Sequence, residues 1–164
     1  MNEIMIMVSE DPQVKHRVIN RHPVHPSITP AQISDLVDIF YVRVRSDEEL
    51  GPMFDKRLED RWEDHLLKMK TFWEAVLLRT GAYKGKPVPT HMKLKEVVST
   101  DFKSWLELFR KTAAECFAPD AVPLVIETAE RIAQSLWLAM FGSPISRPPD
   151  WMVTPDQPTE NAER

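Results

Sequence analysis

The sequence has little glycine and almost no cysteine. Its 164 residues include 4 glycines and a single cysteine, Cys116. One thiol cannot form an intrachain disulfide, and the chain has neither the paired cysteines nor the His-Glu-x-x-His pattern of zinc sites. It also lacks a glycine-rich phosphate-binding loop and a Gly-x-Ser-x-Gly nucleophile elbow. A lone cysteine suits a reducing compartment, so we expect a cytoplasmic protein.

Long apolar runs and a strong net charge are also missing. The longest apolar runs, such as residues 136–141, are far shorter than the roughly 20 residues that a membrane-spanning helix needs. A net charge of −4, from 25 acidic and 21 basic residues, opposes binding to nucleic acid through overall charge. We therefore expect a monomeric domain that binds neither membranes nor nucleic acid.

Prolines are abundant and cluster at the two ends of the chain. Helices accept proline only in their first turn, so proline clusters mark segments outside the helices. We predict a flexible N-terminal tail over residues 1–28, a folded domain over residues 29–142 and a flexible, proline-rich C-terminal tail over residues 143–164. Trp151 and Met152 are apolar enough to dock on the domain from that second tail.

Apolar residues between the tails recur at three- and four-residue spacings, which indicates helices. Thr29-Pro30 has the pattern of a helix start, and the first helix should end near Ser46. We expect further long helices over about residues 58–80 and 100–117, and from residue 120 to about 141. A turn should run through Leu50-Gly51-Pro52, and a short helix should carry His91. Without an alternating strand pattern, the fold class is all-α.

Two histidines lie inside the helical region. His65 shares the apolar face of its helix with Met69, Phe72 and Trp73, and a polar ring there needs a hydrogen-bond partner or a ligand. Position alone favours a core-edge histidine bonded to a backbone carbonyl. His91 follows a proline-rich segment that can direct a ring nitrogen across a cavity, but position alone favours a surface capping residue.

Two further donors face the interior. Tyr41 and Trp105 carry an O–H and an N–H on the apolar faces of their helices. Buried donors require acceptors. Together with His65 they bring three donors from three helices, which suits a polar, electron-rich ligand in an apolar cavity.

An ordered set of motifs extends from about residue 28 to residue 141, and in order and spacing it resembles the group III truncated haemoglobins. The motifs are Phe40-Tyr41-x-x-Val44-Arg45-x-Asp47, Leu50-Gly51-Pro52-Met53-Phe54, Trp62-x-x-His65, Phe72-Trp73, Tyr83-x-Gly85-x-Pro87-x-x-x-His91, Phe102-x-x-Trp105-Leu106-x-Leu108-Phe109 and Ala129-x-x-Ile132-Ala133-x-Ser135-Leu136.

The resemblance implies a truncated globin fold, a two-over-two α-helical sandwich with haem b between the second and third long helices. It implies that His91 is the proximal ligand of a pentacoordinate iron. It also implies a distal pocket in which dioxygen, nitric oxide or carbon monoxide binds. The distal residues would be Tyr41, His65 and Trp105, and the residues that contact haem would be Phe54, Lys68, Met69, Phe72 and Trp73, with Lys68 directed at a propionate.

Three classes of function remain open from the sequence. The first is a haem protein that binds diatomic ligands. The second is a haem enzyme, either a nitric oxide dioxygenase or a peroxidase, which would need a separate reductase partner because the sequence contains no reductase domain. The third is a helical interaction module without haem.

Overall fold

The computed structural model describes residues 22–155, which form six α-helices, one 3₁₀ turn and no strand within that range. The helices are α1 (Pro30–Ser46), α2 (Leu50–Leu58), α3 (Trp62–Leu77), α4 (Pro87–Met92), α5 (Asp101–Cys116) and α6 (Val122–Phe141), and the 3₁₀ turn is Asp150–Met152. The all-α prediction is confirmed.

α1 starts where the sequence predicts it. The Gln32 amide donates to the Thr29 hydroxyl at 3.2 Å, and the Thr29 amide donates to the Gln32 side chain at 3.0 Å. This reciprocal cap satisfies two amides that the helix cannot pair internally, and Pro30 has no amide hydrogen to leave unpaired. The capped helix turns one apolar stripe inward, comprising Ile33, Leu36, Val37, Phe40, Tyr41 and Val44.

The long helices pack as two pairs. α1 packs against α3, α5 packs against α6, and the pairs meet where α1 crosses α5 and α3 contacts α6. The core between them contains the fully buried side chains of Phe40, Phe109 and Val125. This is the two-over-two arrangement, and it leaves the short α2 and α4 at the margins of the sandwich.

The predicted turn at Leu50-Gly51-Pro52 is wrong, because these residues open α2. The Asp47 carboxylate accepts the amides of Glu49 at 3.0 Å and Leu50 at 2.8 Å, which caps the helix. Pro52 lies in the first turn, where proline is tolerated. A Cβ on Gly51 would lie 2.5 Å from the Arg45 carbonyl oxygen, so glycine permits close approach of the backbone. Because α2 extends to Leu58, the helix expected over about residues 58–80 begins only at Trp62. It ends at Leu77.

The chain stays packed beyond both ends of the predicted domain. The Val24 amide donates to the Leu77 carbonyl at 2.8 Å, and Ile28 is buried. At the other end Met152 is fully buried against Phe102 and Leu106. Parts of the two segments expected to be flexible tails are therefore packed on the helices, and residues 1–21 and 156–164 of those predictions lie outside the described residues.

The segment 143–154, here called the C-terminal strap, is tied down by polar contacts. Arg110 donates to the Trp151 carbonyl at 3.1 Å, and the Thr154 amide donates to the Glu130 carboxylate at 2.9 Å. Proline prevents this segment from continuing α6 as a helix, but it does not prevent packing. No helix in residues 22–155 has the length and apolar composition needed to cross a membrane.

Candidate functional site

His91 is oriented by its own helix. Its Nδ1 lies 2.7 Å from the Pro87 carbonyl oxygen, one turn earlier on α4. A carbonyl oxygen can only accept, so Nδ1 carries the proton. In the neutral ring the lone pair then lies on Nε2, which forms no hydrogen bond with any residue in the range 22–155. Histidines that bind metals are commonly fixed in this way through their second nitrogen.

A group of four rings, the four-ring cluster, joins α1, α2 and α3. Its members are Tyr41, Phe54, Trp62 and His65. The Tyr41 and His65 ring centroids are 5.0 Å apart and nearly perpendicular, and Trp62 lies 6.1 Å from His65. Phe54 lies 6.0 Å from Tyr41 and 6.4 Å from His65. The structure thus brings together three of the predicted site residues, Tyr41, Phe54 and His65.

His65 is half-buried, and its Nε2 is a buried polar atom without a hydrogen-bond partner. The expectation of a core-edge histidine bonded through that nitrogen to a backbone carbonyl is therefore not met. Burial lowers the pKa of His65 to about 4, and electrostatic interactions with Lys68 and His91 act in the same direction. The ring is neutral at pH 7, so one nitrogen can donate and the other can accept.

Tyr41 and Trp105 carry polar atoms that are not paired within residues 22–155. The structure records no hydrogen bond from the Tyr41 hydroxyl or the Trp105 indole nitrogen to another described residue. By contrast, Trp62 donates to Asp55 at 2.9 Å and Trp137 donates to Ser99 at 2.7 Å. Burial raises the pKa of Tyr41, so its hydroxyl remains a donor at neutral pH.

Trp105 reaches the four-ring cluster through intervening rings. Its centroid is 5.2 Å from Phe40, which in turn is 5.0 Å from Tyr41. Trp105 also stacks on Phe109, with ring centroids 5.3 Å apart. The Trp73 ring lies 4.8 Å from the same Phe109 ring. Aromatic side chains therefore form a continuous path from α1 through α5 to α3.

The other predicted haem-contacting residues lie along α3. Phe72 packs against Trp73 at 5.3 Å and Tyr83 at 5.1 Å, and Met69 is half-buried against the core. Lys68 is exposed and forms no ion pair with any of residues 22–155, whereas Lys70 pairs with Asp38 at 2.9 Å. Lys68 is thus a cation without a carboxylate partner in the described chain.

Three residues near this site were not predicted to belong to it. Trp62 lies one turn before His65, Pro87 supplies the carbonyl that orients His91, and Tyr83 packs on Phe72. The three- and four-residue spacings of Trp62 and Pro87 from the two histidines were available signals. Nothing in the sequence indicates that Tyr83 returns to α3.

Two surface cavities lie elsewhere. One of about 430 Å³ is lined by α2 and the segment before α5, including Met53 and Glu96, and one of about 220 Å³ lies between Met92 and Phe141. Neither is lined by a predicted site residue. The candidate site is therefore defined by its ring geometry and its unpaired polar atoms.

Of the comparisons with known proteins, that with curated sequences and that with solved structures agree. No family model matches the sequence. The group 3 truncated hemoglobin ctb of Campylobacter jejuni is 31% identical over 110 residues, which cover 65% of this chain and 87% of that protein. A crystal structure of group III truncated hemoglobin from Campylobacter jejuni is 28% identical, with a TM-score of 0.67, and the match covers 71% of this chain and 94% of that one. The fold thus agrees with that of an experimental structure over 94% of the length of that structure.

Proposed function

Because the chain belongs to the group III truncated haemoglobins, we propose that it holds haem b with His91 as axial ligand and binds a diatomic ligand at a pentacoordinate iron. The observation that carries the proposal is the bond from His91 Nδ1 to the Pro87 carbonyl at 2.7 Å. It selects the tautomer whose Nε2 lone pair is available to a metal. We place the protein in the cytoplasm, where its single thiol would stay reduced.

The residues present fit a haem group. The unpartnered Nε2 of His65 is the kind of buried polar atom that a ligand or its cofactor completes. Apolar and aromatic side chains on α2 and α3 would contact the macrocycle, and Lys68 has no competing ion pair that would prevent it from meeting a propionate. The contacting side chains would be Phe54, Met69, Phe72 and Trp73.

Bound haem supplies the iron at which dioxygen, nitric oxide or carbon monoxide coordinates. Tyr41, His65 and Trp105 would then act on the ligand as fixed polar groups in an environment poor in water. Each neutral hydrogen bond contributes about 1 kcal/mol, which slows ligand release about fivefold. Two or three such bonds would slow it by about 30- to 150-fold.

The same three polar groups favour a second function. Slow release suits an oxygen carrier poorly and suits a haem enzyme that oxidises nitric oxide or reduces peroxide. Such an enzyme would receive electrons from a separate reductase. Turnover of nitric oxide or hydrogen peroxide with an added reductant, at a rate well above that of free haem, would support this alternative.

The absorption spectrum tests the main proposal. Purified protein should show an intense violet band that shifts on adding carbon monoxide. His91→Gly should lose axial coordination and most of its haem, and added imidazole should restore the band. His22→Gly, which changes an exposed histidine, should behave like the unchanged protein. A chain that takes up no haem, or a His91→Gly variant with unaltered coordination, contradicts the proposal.

A further inference from the structure

Trp62, the first residue of α3, packs against all three other rings of the four-ring cluster. It is 9% exposed. Its ring lies 6.0 Å from Tyr41, 6.1 Å from His65 and 6.2 Å from Phe54, which it stacks at 26°. Trp62 thus packs edge-on against the two polar rings that would face the ligand.

Trp62 is itself held by polar contacts on its other side. Its indole N–H donates to Asp55 Oδ1 at 2.9 Å, and the same carboxylate oxygen lies 3.5 Å from Arg45 Nε. The Arg45 guanidinium carbon lies 4.5 Å from the Trp62 ring centroid, within cation–π range. These contacts form a clamp of Arg45, Asp55 and Trp62 that joins α1, α2 and α3.

Neither Tyr41 nor His65 is held by a comparable polar contact within residues 22–155. His65 Nε2 has no hydrogen-bond partner, and the Tyr41 hydroxyl forms no hydrogen bond with another residue of the described chain. Their orientations are therefore set by the side chains packed against them. Trp62 is the ring common to both that is fixed by hydrogen bonding to a neighbouring helix.

We propose that Trp62, held by Asp55 and Arg45, is a positioning residue that fixes the orientations of Tyr41 and His65 toward the bound ligand. The inference rests on the proposed haem function. Ring packing without the clamp would still fill the core, but it would leave the His65 ring free to take more than one orientation. Loss of the clamp should therefore appear as heterogeneity and altered rates of ligand binding.

Trp62→Phe tests this directly, because it keeps an aromatic ring and removes the N–H. Trp137→Phe is the matched control, since Trp137 also donates its indole N–H to a side chain, that of Ser99, at 2.7 Å. In haem-loaded protein, carbon monoxide rebinding after photolysis should change about three- to tenfold in Trp62→Phe, the effect of roughly one lost hydrogen bond. The infrared stretching band of bound carbon monoxide should broaden or split. Trp137→Phe should match the unchanged protein in both measurements.

A second pair of variants guards against misfolding of Trp62→Phe. Asp55→Asn keeps an acceptor oxygen for the indole, whereas Asp55→Ala removes it. We expect Asp55→Ala to reproduce the altered rates and split band, and Asp55→Asn to restore most of the original behaviour. In a His65→Leu, Tyr41→Phe background, Trp62→Phe should change the rebinding rate much less, because the residues it positions are gone.

The two proposals fail in different ways. If the protein takes up haem but Trp62→Phe and Asp55→Ala match Trp137→Phe in rebinding and band shape, Trp62 is only a core residue and the inference is wrong. If the unchanged protein takes up no haem, the proposed function is wrong and the inference falls with it.

Discussion

Two regions of this molecule treat buried polar groups in opposite ways. In the first, where the C-terminal strap meets α5 and α6, Glu130 is 4% exposed and its Oε1 accepts hydrogen bonds from two residues. It accepts from Arg110 at 2.7 Å and from the amide and hydroxyl of Thr154 at 2.9 and 2.5 Å. In the second, the four-ring cluster, His65 Nε2 is buried and has no hydrogen-bond partner among residues 22–155.

The difference distinguishes a buried polar group that stabilises the fold from one that is available to a ligand. Leaving a buried polar atom unpaired costs free energy, so native proteins rarely do so without cause. Glu130 has its partners within the chain, and its role is complete there: it connects α5, α6 and the strap. His65 has a polar atom that the chain does not satisfy, which is what a site awaiting a ligand requires.

Removing the Glu130 carboxylate should have the largest effect on stability. Glu130→Ala leaves Arg110 without its carboxylate, although the Arg110 side chain is 24% exposed and can partly recover water. We expect the free energy of unfolding to fall by about 2–4 kcal/mol, measured by urea denaturation. Ligand dissociation from the haem-loaded protein should change little, because the four-ring cluster lies on other helices.

Thr154→Ala provides the control for that measurement. It removes one hydroxyl donor to Glu130 but keeps the Thr154 backbone amide and the Arg110 pair. The loss should be about 1 kcal/mol. A loss in Glu130→Ala no larger than in Thr154→Ala would show that the strap is not anchored by this ion pair.

Protonation of His65 should have an intermediate effect on folding stability. Its pKa is about 4 in the folded chain and about 6.5 when unfolded, so between these values the unfolded state binds a proton that the folded state does not. Stability should therefore fall as the pH drops from about 6.5 to about 4, by about 3 kcal/mol, and this contribution should level off below that range.

The comparison variant is His65→Leu in haem-free protein. It has no imidazole to protonate, so the difference in unfolding free energy between it and the unchanged chain should vary with pH across that window. Identical slopes for the two proteins would mean that the imidazole is not held in its neutral form by the fold.

How far the sequence predicts these features depends on whether their causes are local. The start of α1 is predicted by the adjacent pair Thr29-Pro30, and the structure adds Gln32 to the cap. α2 was missed although Asp47, three residues before Leu50, is a local capping signal, because Gly51-Pro52 is a residue pair typical of turns. A local signal was therefore present for both helices, and for the second it was ambiguous.

The strap and the site residues show the same limit. The proline content of residues 143–154 correctly excludes a continuing helix, but the burial of Met152 depends on Phe102 and Leu106, which are distant in sequence. His91 was singled out through the resemblance, since its position alone favoured a capping role. The carbonyl of Pro87 that orients it lies four residues earlier, a spacing that could have been used.

The smallest expected effect, and the sharpest contrast with Glu130, comes from the two other donors. Tyr41→Phe and Trp105→Phe each keep an aromatic ring and remove a polar group that has no hydrogen bond within residues 22–155. Each should speed dioxygen dissociation about fivefold, equivalent to about 1 kcal/mol, as measured by stopped-flow displacement. Tyr41→Phe should leave the free energy of unfolding of the haem-free chain unchanged within about 0.5 kcal/mol, because no internal bond is lost. If instead the Tyr41 variant lost stability while dissociation stayed the same, its hydroxyl would be structural like Glu130, and the distinction between the two regions would no longer hold.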